Sequence, residues 1–283
     1  MKAMIPQSRT TVLGYAGDSF FNANSSSFDS GTKERRAMAE PILRVTNLNI
    51  SFGSRAVIQD LSFEVQQGDC LAVIGPNGAG KTVLLKALLS LIPYQGQIRW
   101  SPEAKLGYVP QKIAADRQLP LRAKDLLSAK ANFLKLPSTE FERVANELDV
   151  TTEMLDMSLG QLSGGQFQKL LIAFALLGGP NVLLFDEPTA SLDELTEERI
   201  YELLGSLQKD RGLTILLVSH DLSVVFRNAN RVLCLSKGKP CMGPPKEILT
   251  PAMLQELYGP APHYYQHIHE HERLRSENQE GAP

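Results

Sequence analysis

The feature that most constrains how this chain can fold is a glycine-rich segment at residues 75–82, Gly-Pro-Asn-Gly-Ala-Gly-Lys-Thr. It fits the pattern GxxxxGK[ST] and lies between a short apolar run, residues 70–74, and a helical pattern over residues 81–91. Glycines let backbone N–H groups converge on phosphate oxygens, and the N-terminus of the following helix adds positive potential. Because a chance match in a chain of this length is expected in about 1 case in 100, the segment predicts a phosphate-binding loop rather than an ordinary glycine-rich turn.

The side chains at the end of this loop predict how it would hold a nucleotide. Lys81 is expected to reach the β- and γ-phosphates, and the Thr82 hydroxyl is expected to ligate Mg²⁺. All residues of the loop are candidate nucleotide-binding residues: Gly75, Pro76, Asn77, Gly78, Ala79, Gly80, Lys81 and Thr82.

Two carboxylates directly follow another short apolar run, residues 182–185. Asp186 is placed to hold Mg²⁺ directly or through water, and Glu187 is placed to accept a proton from an attacking water. An acidic pair after a strand is by itself usually the start of a helix, but the phosphate-binding loop favours the catalytic interpretation. No NKxD motif is present, so the sequence does not support selectivity for guanine.

Short apolar runs alternate with helical patterns along most of the chain, which predicts a parallel sheet covered by helices on both faces. Residues 42–65 have strand-like patterns that predict an antiparallel β region, and residues 112–161 predict a helical insert. Residues 1–40 are predicted to be a disordered leader, and a translation start at Met38 would remove residues 1–37 of it. The predicted domain therefore spans residues 41–258, and residues 259–283 form a tail.

Composition narrows the classes of function. The 29 basic and 31 acidic side chains give a net charge of -2, which argues against nucleic acid or a polybasic membrane surface as partner. The longest apolar stretch, residues 170–177, is much shorter than the ~20 residues that a membrane span needs. Cys70, Cys234 and Cys241 show no close pairing, which predicts no disulfide framework and favours a reducing, intracellular setting.

The histidines are concentrated near the C-terminus, at His263, His267, His269 and His271. In a helix the first, second and fourth of them would share one face, and in an extended chain the last three would share one side. Either geometry offers imidazoles for Zn²⁺, and the alternative is a solvated polar tail that binds no metal.

A second glycine-containing segment carries a family resemblance. Residues 162–166, Leu-Ser-Gly-Gly-Gln, precede a helical pattern. Here the chain resembles ATP-binding cassette (ABC) ATPases, whose signature is this segment, and the order of the other motifs agrees over about residues 42–258. The resemblance assigns further residues by motif: Phe52 to adenine stacking, Gln111 to the Q-loop, Asp193 to the D-loop and His220 to the switch position. Two of these keep other interpretations, Phe52 as an ordinary core aromatic and Gln111 as a turn residue.

The resemblance implies an α/β fold with a P-loop NTPase (RecA-like) core, an antiparallel β subdomain and an inserted helical subdomain. It implies ATP and Mg²⁺ as ligands, with Thr82, Gln111 and Asp186 around the metal. It also implies that Glu187, His220 and Gln111 are the catalytic residues.

The signature segment would form a second phosphate cradle at a helix N-terminus, made of Ser163, Gly164, Gly165 and Gln166. In this family the cradle closes on ATP that is held by the partner's phosphate-binding loop. The resemblance therefore implies a head-to-tail homodimer.

Less general segments resemble the zinc/manganese importer branch of the family. They are residues 107–112, 119–121, 232–235 and 257–260, together with Cys241, Gly243 and Pro245. This implies an ATPase that energises zinc import from the cytoplasmic face of the cell membrane, with permease subunits as partners and, indirectly, a metal-binding solute-binding protein. A manganese or iron importer of the same branch, and a soluble ABC regulator without a permease, are the alternatives.

Overall fold

The computed structural model describes residues 40–111, 121–187, 194–236 and 240–259. Residues 1–39 of the predicted leader, the four tail histidines and Asp193 lie outside these ranges. Within them, the chain forms two β-sheets and a set of helices.

The smaller sheet is antiparallel and has the strand order β2-β1-β4. Its strands are β1 (Leu43–Phe52), β2 (Arg55–Val65) and β4 (Gln95–Trp100). The first two confirm the predicted antiparallel region. The third was not predicted, because its residues are exposed or only half-buried and show no apolar alternation.

The larger sheet has the strand order β5-β6-β7-β3-β8-β9. Its strands are β3 (Cys70–Ile74), β5 (Leu106–Val109), β6 (Val182–Asp186), β7 (Thr214–Val218), β8 (Arg231–Cys234) and β9 (Cys241–Gly243). All neighbouring pairs are parallel except β8 and β9, so the predicted parallel sheet is confirmed. Since β7 lies between β3 and β6, the carboxyl ends of these strands meet at one edge of the sheet.

The helices lie around this larger sheet. They are α1 (Lys81–Leu88), α2 (Ala123–Phe133), α3 (Ser138–Glu147), α4 (Thr152–Asp156), α5 (Gly164–Leu176), α6 (Glu194–Arg211), α7 (Leu222–Asn228), α8 (Pro245–Ile248) and α9 (Pro251–Tyr258). Helix α1 ends earlier than the predicted residue 91, because Ser90 adopts a positive φ of 56°. Helices α4, α8 and α9 are short and were not predicted.

The two faces of the larger sheet bury different cores, and strand β6 shows why. Leu183 and Phe185 pack against the helices that include α2, α3 and α5. Val182 and Leu184 face the opposite way, toward α1 and the smaller sheet. Because side chains alternate along a strand, Asp186 continues the row that faces α1.

The expectation that the cysteines are unpaired is wrong for two of them. Cys234 and Cys241 form a disulfide, with their Cα atoms 5.1 Å apart, and Cys70 is buried and free. The two partners stand seven positions apart in the sequence and become opposite neighbours only because β8 and β9 form an antiparallel pair. Strand β9 was not predicted, so the pairing was missed as well.

Among the described residues, we find no helix with the length and apolar character that a membrane crossing requires.

Candidate functional site

The phosphate-binding loop, residues 75–82 and called the P-loop below, connects β3 to α1. Gly75 has a φ of 149°, and a Cβ atom there would collide with the carbonyl oxygen of Leu235. Gly80 has a φ of 98° and immediately precedes α1. These backbone conformations explain why glycine is needed at both ends of the turn.

Lys81 is the first residue of α1, and its side chain turns back into the P-loop. It is only 6% exposed, and its Nζ donates hydrogen bonds to the carbonyl oxygens of Gly75 at 2.9 Å and Pro76 at 3.4 Å. The same Nζ lies 3.6 Å from Glu187 Oε1. A buried ammonium that donates to two carbonyl oxygens and lies near one carboxylate is well suited to meet phosphate oxygens at this place.

Asp186, the last residue of β6, is hydrogen-bonded to the last residue of the P-loop. Thr82 Oγ1 donates to Asp186 Oδ1 at 2.9 Å, and the Tyr108 hydroxyl donates to Oδ2 at 3.5 Å. Burial raises the pKa of Asp186, and the hydrogen bond from Thr82 partly opposes this rise. A hydroxyl oxygen beside a buried carboxylate is a donor set that Mg²⁺ accepts, so these residues fit that ion.

Tyr108 was not predicted as a site residue. Burial, and next the charge of Asp186, raises the pKa of the Tyr108 hydroxyl to about 12, so it stays a neutral donor at physiological pH. Tyr108 is the register partner of Leu184 in the β5–β6 pair, on the face that Asp186 also uses. The sequence predicts a short strand at residues 106–109, but it does not show the register that brings this strand beside β6.

The buried charge of Asp186 leads to a prediction about stability. Because its pKa is raised in the folded protein, the folded state binds the proton more tightly than the unfolded chain, and stability is lost as the pH rises through the folded pKa. We therefore expect Asp186→Asn to raise the melting temperature of the nucleotide-free protein at pH 7 by a few degrees. The gain should disappear as the pH falls below about 4, where the aspartate is protonated in both states.

Thermal unfolding of both proteins across this pH range measures the effect. The control is Asp210→Asn, which neutralises an exposed carboxylate in α6 and should leave the melting temperature unchanged. A melting temperature of Asp186→Asn that is equal to or below that of the parent at pH 7 contradicts the prediction.

Glu187 follows β6 in a left-handed backbone conformation with a φ of 45°, which is unusual for a residue other than glycine. Its backbone N–H donates to the carbonyl oxygen of Val218 at 3.1 Å, so β7 holds the turn. Gln111 Nε2 donates to Glu187 Oε2 at 2.6 Å, while Lys81 approaches the other carboxylate oxygen. The structure thus brings a glutamine, a lysine and this carboxylate together.

His220 lies near the Glu187 carboxylate, on its solvent-exposed side. Its Nδ1 is 4.0 Å from Glu187 Oε1, and its side chain is 63% exposed. The residue after it, Asp221, caps α7 by accepting hydrogen bonds from the backbone of Ser223 at 2.7 Å and Val224 at 3.4 Å. The cap fixes the chain direction directly after the histidine.

The signature segment begins α5. Ser163 is the N-cap, its Oγ accepts from the Gln166 N–H at 3.2 Å, and the Gln166 side chain accepts from the Ser163 N–H at 2.9 Å. Gly164 is the first residue of the helix, and a Cβ on Gly165 would stand 2.6 Å from Thr196 Cγ2 in α6. Within the described residues, no hydrogen bond or ion pair joins this segment to the P-loop.

A cavity of about 610 Å³ opens between β2, the P-loop and the segment after β8. It is lined by Arg55, Ala56, Val57, Ile58, Gln59, Leu61, Pro76, Asn77, Gly78, Ala79, Leu235, Ser236 and Pro240. Phe52 stands at the end of β1 and is 51% exposed, which excludes its interpretation as a core aromatic. It does not line this cavity.

The remaining predicted residues cannot be placed. Asp193 and the histidines at 263, 267, 269 and 271 lie outside the described residues. In the described part of the chain, no group of three or more His, Cys, Asp or Glu side chains is arranged to hold a metal ion.

Comparison with known proteins agrees with this geometry. The family model described as ABC transporter matches residues 58–190. The zinc import ATP-binding protein ZnuC of Halorhodospira halophila is 36% identical over 229 residues, which cover 80% of this chain and 86% of the relative. ZnuC of Rickettsia conorii is 34% identical, with 83% of this chain and 99% of the relative covered.

Solved structures give the same answer. A metal-chelate type ABC transporter in an inward-facing conformation matches with a TM-score of 0.70 and 28% identity, over 77% of this chain and 89% of its own. The cbiO1 protein of Clostridium perfringens, part of the ABC transporter complex cbiONQ, matches with a TM-score of 0.65 and 26% identity, over 76% and 93% of the two chains. This chain therefore belongs to the family of ABC transporter ATP-binding proteins.

Proposed function

We propose that this chain is the ATP-hydrolysing subunit of an ABC importer whose cargo is zinc. The hydrolytic part is supported by one arrangement, the Glu187 carboxylate between Lys81 Nζ at 3.6 Å and Gln111 Nε2 at 2.6 Å. The cargo is supported by the relatives, which are zinc import proteins at 34% to 36% identity over most of the chain.

In this proposal the P-loop amides and Lys81 bind the β- and γ-phosphates of ATP. Glu187 accepts a proton from the attacking water, and its hydrogen bond from Gln111 fixes the direction of the carboxylate. Thr82 and Asp186 would hold Mg²⁺, which neutralises charge on the phosphates when it is bound. His220 is close enough to orient the same water after a small movement of its exposed side chain.

The signature segment is proposed to act on a second copy of the chain. The N-terminus of α5 presents the backbone N–H groups of Gly164 and Gly165 and the Ser163 hydroxyl, which together suit phosphate oxygens. Since no hydrogen bond or ion pair in the described part of the chain links Ser163 to the P-loop, a head-to-tail homodimer would supply the missing half of each site. Asp193 is proposed to lie at that dimer interface, and Phe52 is proposed to stack on adenine from its exposed position.

The partners follow from the family. We propose that the dimer docks on membrane permease subunits at the cytoplasmic face of the cell membrane. A metal-binding solute-binding protein would deliver the ion to the permease from the other side, without touching this chain.

Reconstitution tests the cargo. The chain is co-purified with its permease, placed in proteoliposomes with the metal-binding protein, and assayed for ATP turnover with Zn²⁺, Mn²⁺ or Fe²⁺. We expect Zn²⁺ to stimulate ATP turnover and to accumulate in the vesicles. Stimulation by Mn²⁺ or Fe²⁺ alone would assign the chain to the other importers of the branch, and turnover that is indifferent to the permease would favour a soluble regulator.

We also propose that the tail histidines His263, His267, His269 and His271 bind Zn²⁺ and slow uptake when cytosolic zinc is high. Imidazole is a common zinc ligand, and the four residues stand close together in the sequence. Isothermal titration of the full chain and of a chain ending at residue 260 measures the effect. We expect Zn²⁺ binding to be lost with the tail, and unchanged zinc affinity and transport would reject the proposal.

A further inference from the structure

The carboxylate of Asp186 accepts a hydrogen bond at each of its two oxygens. Among the described residues, two side chains donate to it, Thr82 to Oδ1 at 2.9 Å and Tyr108 to Oδ2 at 3.5 Å. Asp186 is only 1% exposed, so these two donors largely determine how its carboxylate is oriented. Since rotation about the last bond of an aspartate side chain is broad, a hydrogen bond to one oxygen leaves the carboxylate able to turn. The Tyr108 hydroxyl therefore fixes an orientation that Thr82 alone does not.

The position of Tyr108 in the sheet explains how its hydroxyl reaches this carboxylate. Strand β5 is the parallel neighbour of β6, and Tyr108 is paired with Leu184, two residues before Asp186. The side chains of Tyr108 and Leu184 pack into the same core, on the face of the sheet toward α1. Two residues along a strand correspond to about 7 Å, a distance that suits a tyrosine side chain and exceeds the reach of serine or threonine. The register thus makes Tyr108 the residue of β5 that can donate to Asp186.

A neutral donor at this place suits a carboxylate that is to hold a cation. Burial, and next the charge of Asp186, raises the pKa of Tyr108 to about 12, so the phenol carries no charge at physiological pH. A lysine or arginine that donated the same hydrogen bond would place a positive charge beside the ion and weaken its binding. The phenol orients the carboxylate and leaves the negative charge of Asp186 available to Mg²⁺.

We propose that Tyr108 is a positioning residue for Mg²⁺, whose hydroxyl orients the Asp186 carboxylate and so tightens the binding of the ion together with ATP. The proposal rests on the proposed function, because the ion that responds is the one bound with ATP. Tyr108 acts through Asp186 and not through contact with the nucleotide. Loss of a partner that orients a metal ligand typically weakens metal binding about 10- to 100-fold. Because the hydrogen bond of Tyr108 is long, we expect the lower end of this range.

The test compares Tyr108→Phe with the parent protein, both as the full chain. Titration with a fluorescent ATP analogue in EDTA should give the same affinity for both, because Lys81 and the rest of the P-loop are unchanged. In excess Mg²⁺ the analogue should bind roughly 10-fold more weakly to Tyr108→Phe than to the parent. With Mn²⁺ as the ion, electron paramagnetic resonance measures metal binding to the analogue-bound protein directly. The loss of Mn²⁺ affinity should equal the loss of analogue affinity measured in Mn²⁺, because the two close one thermodynamic cycle.

Tyr94→Phe is the matched control. It removes the hydroxyl of another half-buried tyrosine that packs against the same core, and the structure shows no hydrogen bond between this hydroxyl and another described residue. It should change neither affinity. Tyr108→Phe keeps the aromatic ring, and thermal unfolding without nucleotide checks that it is folded.

Two results would overturn the inference and leave the proposed ATPase function intact. One is equal affinity of Tyr108→Phe and the parent for the analogue in Mg²⁺. The other is a loss of the same size in EDTA and in Mg²⁺, which would assign Tyr108 a purely structural role. Failure of the parent to bind the analogue in either condition would instead overturn the proposed function and this inference with it.

Discussion

Replacing Glu187 by glutamine is expected to reduce ATP turnover at least ~100-fold while nucleotide binding stays near normal, because the low end of general-base catalysis is of this size. Glutamine has nearly the same shape and keeps an oxygen that can accept the hydrogen bond from Gln111. It cannot take a proton from water. The substitution therefore removes the proton acceptor. It should change little in the packing of residue 187 or in its left-handed backbone conformation.

Turnover of the permease-bound dimer and affinity for an ATP analogue are the two measurements. Glu142→Gln provides the matched control, since it makes the same change at an exposed position of α3 and should alter neither quantity. Turnover of Glu187→Gln within a few-fold of the parent would rule out Glu187 as the base.

Replacing Lys81 by alanine should produce the opposite pattern, a loss of nucleotide affinity of about 10- to 100-fold, the range expected when a charged hydrogen-bond donor is removed. The Lys81 ammonium is buried beside the P-loop carbonyls, and no other described lysine side chain donates a hydrogen bond to them. Phosphate oxygens placed there would lose their main cationic partner.

Equilibrium titration with a fluorescent ATP analogue measures this loss, and Lys124→Ala, at an exposed position of α2, is the control. Thermal unfolding of nucleotide-free Lys81→Ala should show a folded protein, which separates a binding defect from misfolding. If Lys81→Ala binds the analogue as tightly as the parent does, the P-loop lysine has no part in nucleotide binding.

The parallel sheet was predictable because its strands are buried on both faces. Residues 70–74, 182–186 and 214–218 are buried throughout, and such strands appear in a sequence as continuous apolar runs. Strand β4 and the half-buried β9 have no such run, since a strand that is exposed along much of its length does not need apolar residues. The disulfide depends on β9 and was missed for the same reason.

Some residues of the candidate site could likewise be predicted from the sequence, and others could not. The residues of the P-loop and the pair Asp186 and Glu187 could be chosen from local pattern alone, because each follows a buried strand at a recognisable position. Tyr108 could not, because its contact with Asp186 depends on how β5 is aligned beside β6. The same is true of the Gln111 hydrogen bond to Glu187, whose partners are far apart in the sequence.

By itself, the sequence determined the fold class, the P-loop and the acidic pair, because these depend on local spacing, on glycine backbone freedom and on the burial of short runs. Only the tertiary structure decided the Cys234–Cys241 pairing, the exposure of Phe52 and the convergence of Lys81 and Gln111 on Glu187. The physical reason is that these features depend on strand order and register, which arise from packing between distant segments and leave little trace in the pattern of any one of them.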